Sequence, residues 1–487
     1  MSASSLRQPD KLPEPGLLVG WSLENRPSHR PIGFTYGNPL KGPSTGYLDP
    51  ILLNGEGHLM TIAPTGAGKG TGCIIPALLR YPGPVIVIDP KGENATITAR
   101  RRREMGQRVV VIDPMGVTDI PSDTLNPMDA IDITLARAVD EVAVLAQALC
   151  ETPQTDDRNR YWSSRGMHLG IGVMLQVLVD AEPGEANLVR VRDMVNSAAA
   201  DPTAMAKQLM ESPHPEVQRI ARMLNIGAPE TLGGIISFTQ EMVDFLRGDQ
   251  IQASIASTSF NLEDVTTGAP LSIYLVLPPH MLESHSRLLR LWLSALFACI
   301  TRRRARPPHA TLFILDEAAQ LGELPHLRQA ITLLRGYGMQ TWSFWQDASQ
   351  LQTVYSRDWK TMVNNCRVLQ CFGALNQVAA ESMAQMTGFI SGSEILDLRP
   401  DEMVLQLAGD EAVIAQLPNY LADPAFNKLY DQNPYHDPKR PIMPRVGARQ
   451  RMYARPTKKK EAPAVVAGAI DKSDPLLKEL LDKSRAG

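Results

Sequence analysis

The chain has 487 residues, 44% of them hydrophobic, and a formal net charge of −3. This size is enough for one large core or two domains, and the charge lacks the overall basic excess that indicates nucleic-acid binding. The longest apolar run, residues 288–300, contains Arg290 and is shorter than the roughly 20 residues that cross a bilayer, so no membrane span is expected.

The first 50 residues are rich in proline and glycine and show little periodicity. They are predicted to form an irregular lead-in that packs on the first strand. This stretch has no apolar core of the kind found in signal peptides, so a cytosolic chain is expected.

The five cysteines lie within apolar segments or at their ends, and no two of them form a Cys-x-x-Cys pair. This distribution indicates reduced, buried thiols and is evidence against both a disulfide framework and a zinc site. The residues are Cys73, Cys150, Cys299, Cys366 and Cys371.

The strongest motif follows the apolar run at residues 57–61. Residues 62–72, called the phosphate loop below, have the pattern of a strand end, a tight glycine-rich turn and the start of a helix. Small residues at Gly66, Gly68 and Gly70 leave backbone N–H groups free to approach a triphosphate. The candidate nucleotide-binding residues are Pro64, Thr65, Gly66, Ala67, Gly68, Lys69, Gly70 and Thr71.

Lys69 is expected to supply positive charge to the β and γ phosphates of ATP. Two positions depart from the common pattern G-x-x-x-x-G-K-[ST]. Ala63 replaces the first glycine, and Gly70 replaces the hydroxyl residue that binds Mg²⁺. Thr71 is therefore the candidate substitute ligand for Mg²⁺. Taken alone, the motif leaves an ordinary turn between a strand and a helix as the alternative.

A strand buried on both faces is predicted at residues 85–89, because its first four residues are apolar and β-branched. With the loop and helix before it, this strand forms a βαβ unit, the context in which a phosphate loop is expected. A helix with an arginine run at residues 100–103 follows, and another strand is predicted at residues 108–113. For the arginines, a solvated helix face is favoured over a nucleic-acid contact.

The pattern changes from residue 130 to about residue 262, where helical periodicity dominates and no strand-like run occurs. Strand-like runs then resume, each after a helical stretch, which indicates a mainly parallel sheet covered on both sides. These runs are residues 271–277, 310–315, 340–345, 367–372 and 404–408. The chain is therefore predicted to be an α/β protein with an inserted all-α domain.

The last part of the chain differs in charge. Residues 439–460 contain nine Lys or Arg and no Asp or Glu, so contact with a polyanion and simple solubilisation are both open. Residues 473–483 are predicted to form a short capped helix. The predicted divisions are a lead-in at residues 1–50, a nucleotide-binding domain in two parts at residues 51–150 and 265–430, an inserted all-α domain at residues 151–264, and a basic, mobile tail at residues 431–487.

The apolar run at residues 311–315 ends in Asp316 and Glu317. In a nucleotide-hydrolysing sheet this strand end lies beside the phosphate loop, so Asp316 is expected to hold Mg²⁺ through water and Glu317 to polarise the attacking water. A helix N-cap is the alternative for such a pair. The presence of Lys69 earlier in the chain favours the catalytic interpretation.

Two further polar residues belong to this candidate site. Gln346, at the end of the next predicted strand, is expected to hydrogen-bond the γ phosphate, with capping of the next helix as the alternative. Arg335, beside Gly336 and Gly338, is a candidate arginine finger for the nucleotide of a neighbouring subunit. The alternative for Arg335 is a cation at a helix C-terminus.

Five segments together resemble the type IV coupling proteins of conjugation and type IV secretion. They are residues 63–70, 87–93, 315–318, 336–338 and 345–347. The resemblance covers about residues 50 to 425 and implies a RecA-like P-loop NTPase fold, a homo-hexamer, and ATP and Mg²⁺ as cofactors. Gly70, unusual among phosphate loops, is ordinary in this family. Many members begin with membrane-spanning helices, and this chain departs from them there.

The resemblance also implies a function. The chain is expected to be an ATPase that recruits a relaxase–DNA complex to inner-membrane components of a type IV secretion system and moves single-stranded DNA through a ring. Loops that line the ring are expected to contact the DNA phosphates, so that binding depends strongly on salt and not on sequence. Transport of protein effectors and a monomer in the absence of DNA are left open. A cytoplasmic location, with docking at the inner membrane through partners, is expected. The alternatives are a DNA-segregation or packaging motor of the same superfamily and a nucleotide-gated adaptor that does not translocate its cargo.

Overall fold

The structure is a computed structural model. It describes residues 16–23, 31–36, 49–150, 157–182, 184–224, 229–389, 391–437 and 439, without the side chains of residues 157–160, 229, 325, 326 and 333–335. The predicted basic tail beyond residue 439 and the predicted helix at residues 473–483 lie outside the described residues, as does most of the predicted lead-in.

Twelve strands within the described residues form one mixed sheet, in the order β2-β3-β1-β12-β11-β10-β4-β9-β8-β5-β7-β6. Their bounds are β1 Leu17–Ser22, β2 Phe34–Tyr36, β3 Pro50–Leu53, β4 His58–Ile62, β5 Val85–Ile88, β6 Arg108–Ile112, β7 Leu271–Leu275, β8 Thr311–Leu315, β9 Met339–Trp345, β10 Cys366–Cys371, β11 Glu402–Leu407 and β12 Val413–Gln416.

The strands from β10 to β6 in this order run parallel to one another. The prediction of a mainly parallel sheet is confirmed for this part, in which β4 lies between β10 and β9, and β8 lies between β9 and β5. Because parallel strands point the same way, the residues that follow β4, β9, β8 and β5 share one edge of the sheet. The other five strands extend the sheet by antiparallel pairing.

The expectation of an irregular lead-in is wrong for residues 17–22 and 34–36, which form β1 and β2. Strand β1 is buried along its whole length, because it pairs with β3 on one side and β12 on the other. Trp21 of β1 aligns with Gln416 of β12, near the other end of the described chain. Local periodicity does not reveal a pairing between segments so distant in sequence.

Side chains of β5 alternate between two cores, which confirms that this strand is buried on both faces. Val85 and Val87 belong to the core that includes the helix after the phosphate loop, whereas Ile86 and Ile88 belong to the core on the opposite face. The sheet is thus covered on both sides, as parallel sheets are.

Helices fill these two faces and the region between β6 and β7, where the described residues contain no strand. The bounds are α1 Ile75–Arg80, α2 Glu93–Glu104, α3 Ala138–Leu149, α4 Asp157–Asp180, α5 Leu188–Ala200, α6 Pro202–Met210, α7 Pro215–Met223, α8 Pro229–Val243, α9 Asp249–Ala256, α10 Leu262–Thr267, α11 Pro279–Thr301, α12 Pro325–Leu333, α13 Ala348–Val354, α14 Trp359–Asn365, α15 Gln377–Thr387 and α16 Gly392–Leu396.

All five cysteines are free thiols, and all except the half-buried Cys150 are buried. Burial raises the pKa of Cys366 and of Cys371 to about 12, which keeps both thiols protonated near neutral pH. Among the described residues, no helix combines the length and apolarity needed to cross a membrane.

Candidate nucleotide-binding site

The phosphate loop leaves the end of β4 and enters a wide helical turn, Gly70–Ile74, that continues into α1. Gly66 has a φ of +81° and Gly68 a φ of +99°, conformations that residues with a Cβ rarely adopt. A Cβ added at Gly66 or at Gly70 would meet no other protein atom within 4 Å. The loop therefore presents its backbone to open space, as a triphosphate cradle requires.

The Lys69 side chain lies over its own loop. Its Nζ donates a hydrogen bond to the carbonyl oxygen of Ala63 at 3.0 Å and lies 4.0 Å from Oε1 of Glu317. Lys69 is 9% exposed, so its side chain is largely removed from solvent, and its electrostatic interactions are stronger than they would be in water. The structure thus brings the predicted phosphate-binding cation and the predicted water-polarising carboxylate together.

Glu317 follows β8 and occupies the left-handed region, with a φ of 53° and a ψ of 46°. For a residue with a side chain this conformation is uncommon and costs on the order of 1–3 kcal/mol. Glu317 makes no side-chain cap to the short turn Ala318–Leu321 that follows, so the capping alternative is not supported for it. Its Oε2 instead accepts a hydrogen bond from Nε2 of Gln346 at 2.8 Å.

Gln346 follows β9 and is not the cap of the next helix. That position belongs to Asp347, whose side chain accepts a hydrogen bond from the backbone N–H of Gln350. The Gln346 amide is therefore free to hold Glu317 in place. Lys69, Glu317 and Gln346 form one contiguous polar cluster across β4, β8 and β9.

Asp316 is buried at the end of β8 and accepts a hydrogen bond from the backbone N–H of Glu317 at 3.1 Å. Burial and the neighbouring charge of Glu317 raise its pKa to about 6, although Lys69 and Lys91 oppose this rise. A divalent cation would relieve the repulsion between two adjacent carboxylates, so the donor set fits the Mg²⁺ expected from the sequence. The described residues contain no group of three or more His, Cys, Asp or Glu that could hold a metal alone.

Thr71 lies in the first turn after Lys69, and its carbonyl oxygen accepts a hydrogen bond from the backbone N–H of Tyr420 at 3.3 Å. It shares the sheet edge with Asp316, but no hydrogen bond between their side chains is found in the described structure. Arg335 lies in the turn Leu334–Tyr337, and its side chain is outside what the structure describes.

Two supports of the loop were missed by sequence reasoning. A Cβ on Gly72 would lie 2.5 Å from Cγ of Leu417, so Leu417 can pack on the helical turn Gly70–Ile74 only because residue 72 is glycine. After β10, Gly373 has a φ of +73°, and a Cβ there would lie 2.6 Å from Cβ of Ala67. The glycine at 373 is the signal that the sequence offers, because a turn directly after a strand often needs a residue that tolerates positive φ.

Comparison with known proteins gives one family. Residues 39–391 match the family model described as "Type IV secretory system Conjugative DNA transfer". The conjugal transfer protein TraG of Escherichia coli is 27% identical over 360 residues, which are 69% of this chain and 55% of that protein. The type IV secretion system-coupling protein VirD4 of Bartonella quintana is 24% identical over 393 residues, 78% of this chain and 58% of that protein. The chain thus spans a little more than half the length of these relatives.

Solved structures of similar fold include the plasmid coupling protein TrwB. The unbound bacterial conjugative coupling protein TrwBdeltaN70 superposes with a TM-score of 0.55 at 14% identity, covering 74% of this chain and 84% of that one. TrwB in complex with ADP and Mg²⁺ gives 0.55 at 15% identity, covering 74% and 85%. The likeness confirms the predicted RecA-like P-loop NTPase fold.

Proposed function

Because the chain belongs to the type IV secretory system conjugative DNA transfer family, we propose that it is an ATP-hydrolysing coupling protein. It recruits relaxase-bound DNA to inner-membrane components of a type IV secretion system and drives the transfer of single-stranded DNA. The observation that supports this proposal is the contact of Lys69 with Glu317 and of Glu317 with Gln346 beside the phosphate loop. The proposed roles are a phosphate-binding cation for Lys69, a water-polarising carboxylate for Glu317 and an orienting amide for Gln346.

The proposed cofactors are ATP and Mg²⁺, and the crystallised complex of TrwB with ADP and Mg²⁺ supports them. When bound, Mg²⁺ neutralises charge that develops on the β and γ phosphates. The residues proposed to hold it are Thr71, through its hydroxyl, and Asp316, through water. The open backbone of Gly66 and Gly70 leaves room for the phosphates themselves.

The protein residues divide the hydrolytic step among them. Lys69 exchanges its bond to the Ala63 carbonyl for the phosphates, which brings a fixed cation to the transferred group. Glu317 accepts a proton from the attacking water. Gln346 holds Glu317 by the hydrogen bond to Oε2, so that the carboxylate keeps one orientation through the step.

The proposed assembly is a homo-hexamer in which Arg335 of one subunit reaches the nucleotide of the next. Fingers of this type are worth about 10³ or more in rate. A mixture of Arg335→Ala and Lys69→Ala chains tests this role, because some interfaces then combine an intact Arg335 with an intact Lys69. Recovery of activity on mixing supports the finger, and no recovery within a shared ring excludes it.

The deciding experiment measures the rate of ATP hydrolysis and the mass of the assembly with single-stranded DNA, with double-stranded DNA and with none. Strong stimulation by single-stranded DNA, lost in the Lys69→Ala variant, is the expected result. Slow hydrolysis at saturating DNA would instead support the nucleotide-gated adaptor. Stimulation by double-stranded DNA alone would support the segregation or packaging motor. The proposed location is the cytoplasmic side of the inner membrane, held there by partners.

A further inference from the structure

A cavity of about 240 Å³ lies between α3 and α11. It is bordered also by the turn Pro127–Ala130 and by Gln329 of α12. Most of its lining is apolar and includes Leu145 of α3 and Phe297 of α11, which are both buried. An apolar cavity of about 150 Å³ already holds a benzene molecule, so this one has room for one or two aromatic rings.

The cavity is separate from the candidate nucleotide-binding site. Residues 294–302, which contribute its α11 side, lie at the C-terminal end of that helix. The next residue, Arg303, donates hydrogen bonds to Oγ1 of Thr311 at the start of β8 and to the carbonyl oxygen of Gly338 just before β9. Because the phosphate loop lies at the opposite ends of these strands, a ligand in the cavity would not compete with the nucleotide.

The lining contains buried polar atoms that lack a partner. Within the part of the chain that the structure describes, neither Oε2 of Glu141 nor Oγ of Ser294 makes a hydrogen bond, and Ser294 is only 3% exposed. Buried polar groups normally have a partner, because leaving one unpaired costs stability. A ligand in the cavity would supply the missing partners, and the apolar walls favour an organic ligand over water alone.

The surroundings of Glu141 define the kind of partner that its Oε2 can take. Its other oxygen, Oε1, accepts from Nε of Arg137 at 2.9 Å and from Nε of Arg302 at 3.2 Å. A carboxylate oxygen only accepts, so the partner of Oε2 must be a donor. With the exposed Asp140 included, two carboxylates stand beside two guanidinium groups, so their charges balance. This balance favours a neutral donor over an ammonium group.

We propose that this cavity binds a small, neutral, aromatic molecule whose N–H or O–H group donates to Oε2 of Glu141. The ring packs against Phe297 and Leu145, and Oγ of Ser294 can donate to or accept from a second polar group of the ligand. Phe297 also stacks on Phe313 of β8, with ring centroids 4.5 Å apart, so the ligand joins an aromatic pair that reaches the sheet. The proposed hydrolysis uses none of these residues, so the site is additional to it.

Equilibrium binding of three probes of similar shape to the full chain, followed by nuclear magnetic resonance, tests the proposal. Indole has an N–H donor, benzofuran has a ring oxygen that only accepts, and indene has neither. Indole should bind about tenfold more tightly than indene, because it alone can donate to the buried carboxylate, and benzofuran should bind no better than indene. Saturating ATP with Mg²⁺ should leave all three affinities unchanged.

Glu141→Gln should reverse the preference. The donors of Arg137 and Arg302 hold an oxygen at the place of Oε1, so the amide N–H group of the variant takes the place of Oε2. The variant should therefore bind benzofuran more tightly than indole. Glu185→Gln is the matched control, since Glu185 is an exposed glutamate that pairs with Arg190 outside the cavity, and it should keep the wild-type order.

Ala298→Phe is a second variant, in which the added ring occupies the cavity. All three probes should lose their binding, while circular dichroism shows a folded chain; if this variant unfolds, the reversal in Glu141→Gln decides alone. Equal affinity of the wild type for the three probes, no saturable binding of any, displacement by ATP, or an unchanged order in Glu141→Gln would overturn the site. Full binding to a folded Ala298→Phe chain would overturn it as well, because the probes would then bind elsewhere.

Discussion

Strands β5 and β8 are neighbours in the parallel part of the sheet, and an aspartate follows each of them. The oxygens of Asp89, after β5, accept hydrogen bonds from the backbone N–H of Ala95 at 2.8 Å and from Nδ2 of Asn94 at 3.2 Å. They hold the start of α2. Asp316, after β8, accepts only from its neighbour Glu317 in the described hydrogen bonds, and that neighbour faces Lys69.

An apolar strand followed by an aspartate therefore does not by itself indicate a catalytic acid. Burial raises the pKa of Asp89 to about 7 and that of Asp316 to about 6, so desolvation does not separate them. Their partners do, since Asp89 is satisfied by the protein and the pair at 316 and 317 is turned toward the phosphate loop. We therefore interpret Asp89 as structural and the pair as functional.

The largest expected effect is on the rate of ATP hydrolysis, which should depend on the carboxylate pair after β8 and not on Asp89 after β5. Glu317→Gln should lower the rate of ATP hydrolysis about 10³-fold while ATP affinity is kept, because the amide cannot accept a proton from water. Asp89→Asn, which removes a carboxylate one strand away, is the matched control and should lose less than about threefold. Single-turnover hydrolysis and equilibrium binding measure both. A wild-type rate in Glu317→Gln would remove the distinction.

The second effect is on the free energy of unfolding, which should depend more on Asp89 than on Asp316. Asp89→Ala should lower the free energy of unfolding by about 1–3 kcal/mol at pH 6, because the N–H of Ala95 and the amide of Asn94 lose their buried acceptor. Asp316→Ala should cost less, since only the adjacent Glu317 N–H loses an acceptor. Chemical denaturation of both variants decides the order. An equal or larger loss in Asp316→Ala would contradict the assignment of roles.

The third effect concerns the hydrogen bond by which Gln346 orients Glu317. Gln346→Ala should lower hydrolysis about tenfold without changing ATP affinity, because Glu317 loses the hydrogen bond that orients it. Gln352→Ala is a suitable control, since Gln352 is an exposed glutamine on the helix that follows Gln346. A shift in affinity with unchanged turnover would place Gln346 on the γ phosphate in the ground state rather than on Glu317.

The smallest effect is a pH dependence. The pKa of Asp89 is about 7 in the folded chain and near 3.8 when unfolded, so between these values the folded state holds more protons and stability falls as pH rises. Between pH 6 and 8 this carboxyl alone should cost about 1 kcal/mol of unfolding free energy. Asp89→Asn should flatten the fall by that amount in metal-free buffer. An unchanged slope would show that Asp89 is ionised throughout.

Much of the parallel half of the sheet could be predicted, because buried parallel strands are continuous apolar runs separated by helices. The runs that became β5, β6 and β8 are of this kind. The antiparallel half could not be predicted in full. Strands β1 and β12 are short, and they pair with each other although they lie far apart in sequence, which local pattern does not reveal.

The candidate site, like the sheet, has one part that the sequence could predict and one part that it could not. That Lys69, Asp316, Glu317 and Gln346 share one edge follows from the rule that parallel strands end together. That Glu317 takes the left-handed conformation and accepts from Gln346 depends on packing around one turn. The fit of Leu417 on Gly72 depends on the volume of the leucine side chain and on the absence of one at residue 72, which lies far from Leu417 in sequence, and no motif records it.

The strand order also has a consequence for how the chain is made. Strand β4 is synthesised early, but its two neighbours, β9 and β10, are separated from it by the whole helical region and several further strands. At translation rates of roughly 5–20 residues per second, β4 waits tens of seconds with both hydrogen-bonding edges open. During that interval the phosphate loop has no Glu317 or Gln346 to face. Nascent chains of this protein are therefore expected to need protection of that edge until the second half of the sheet emerges.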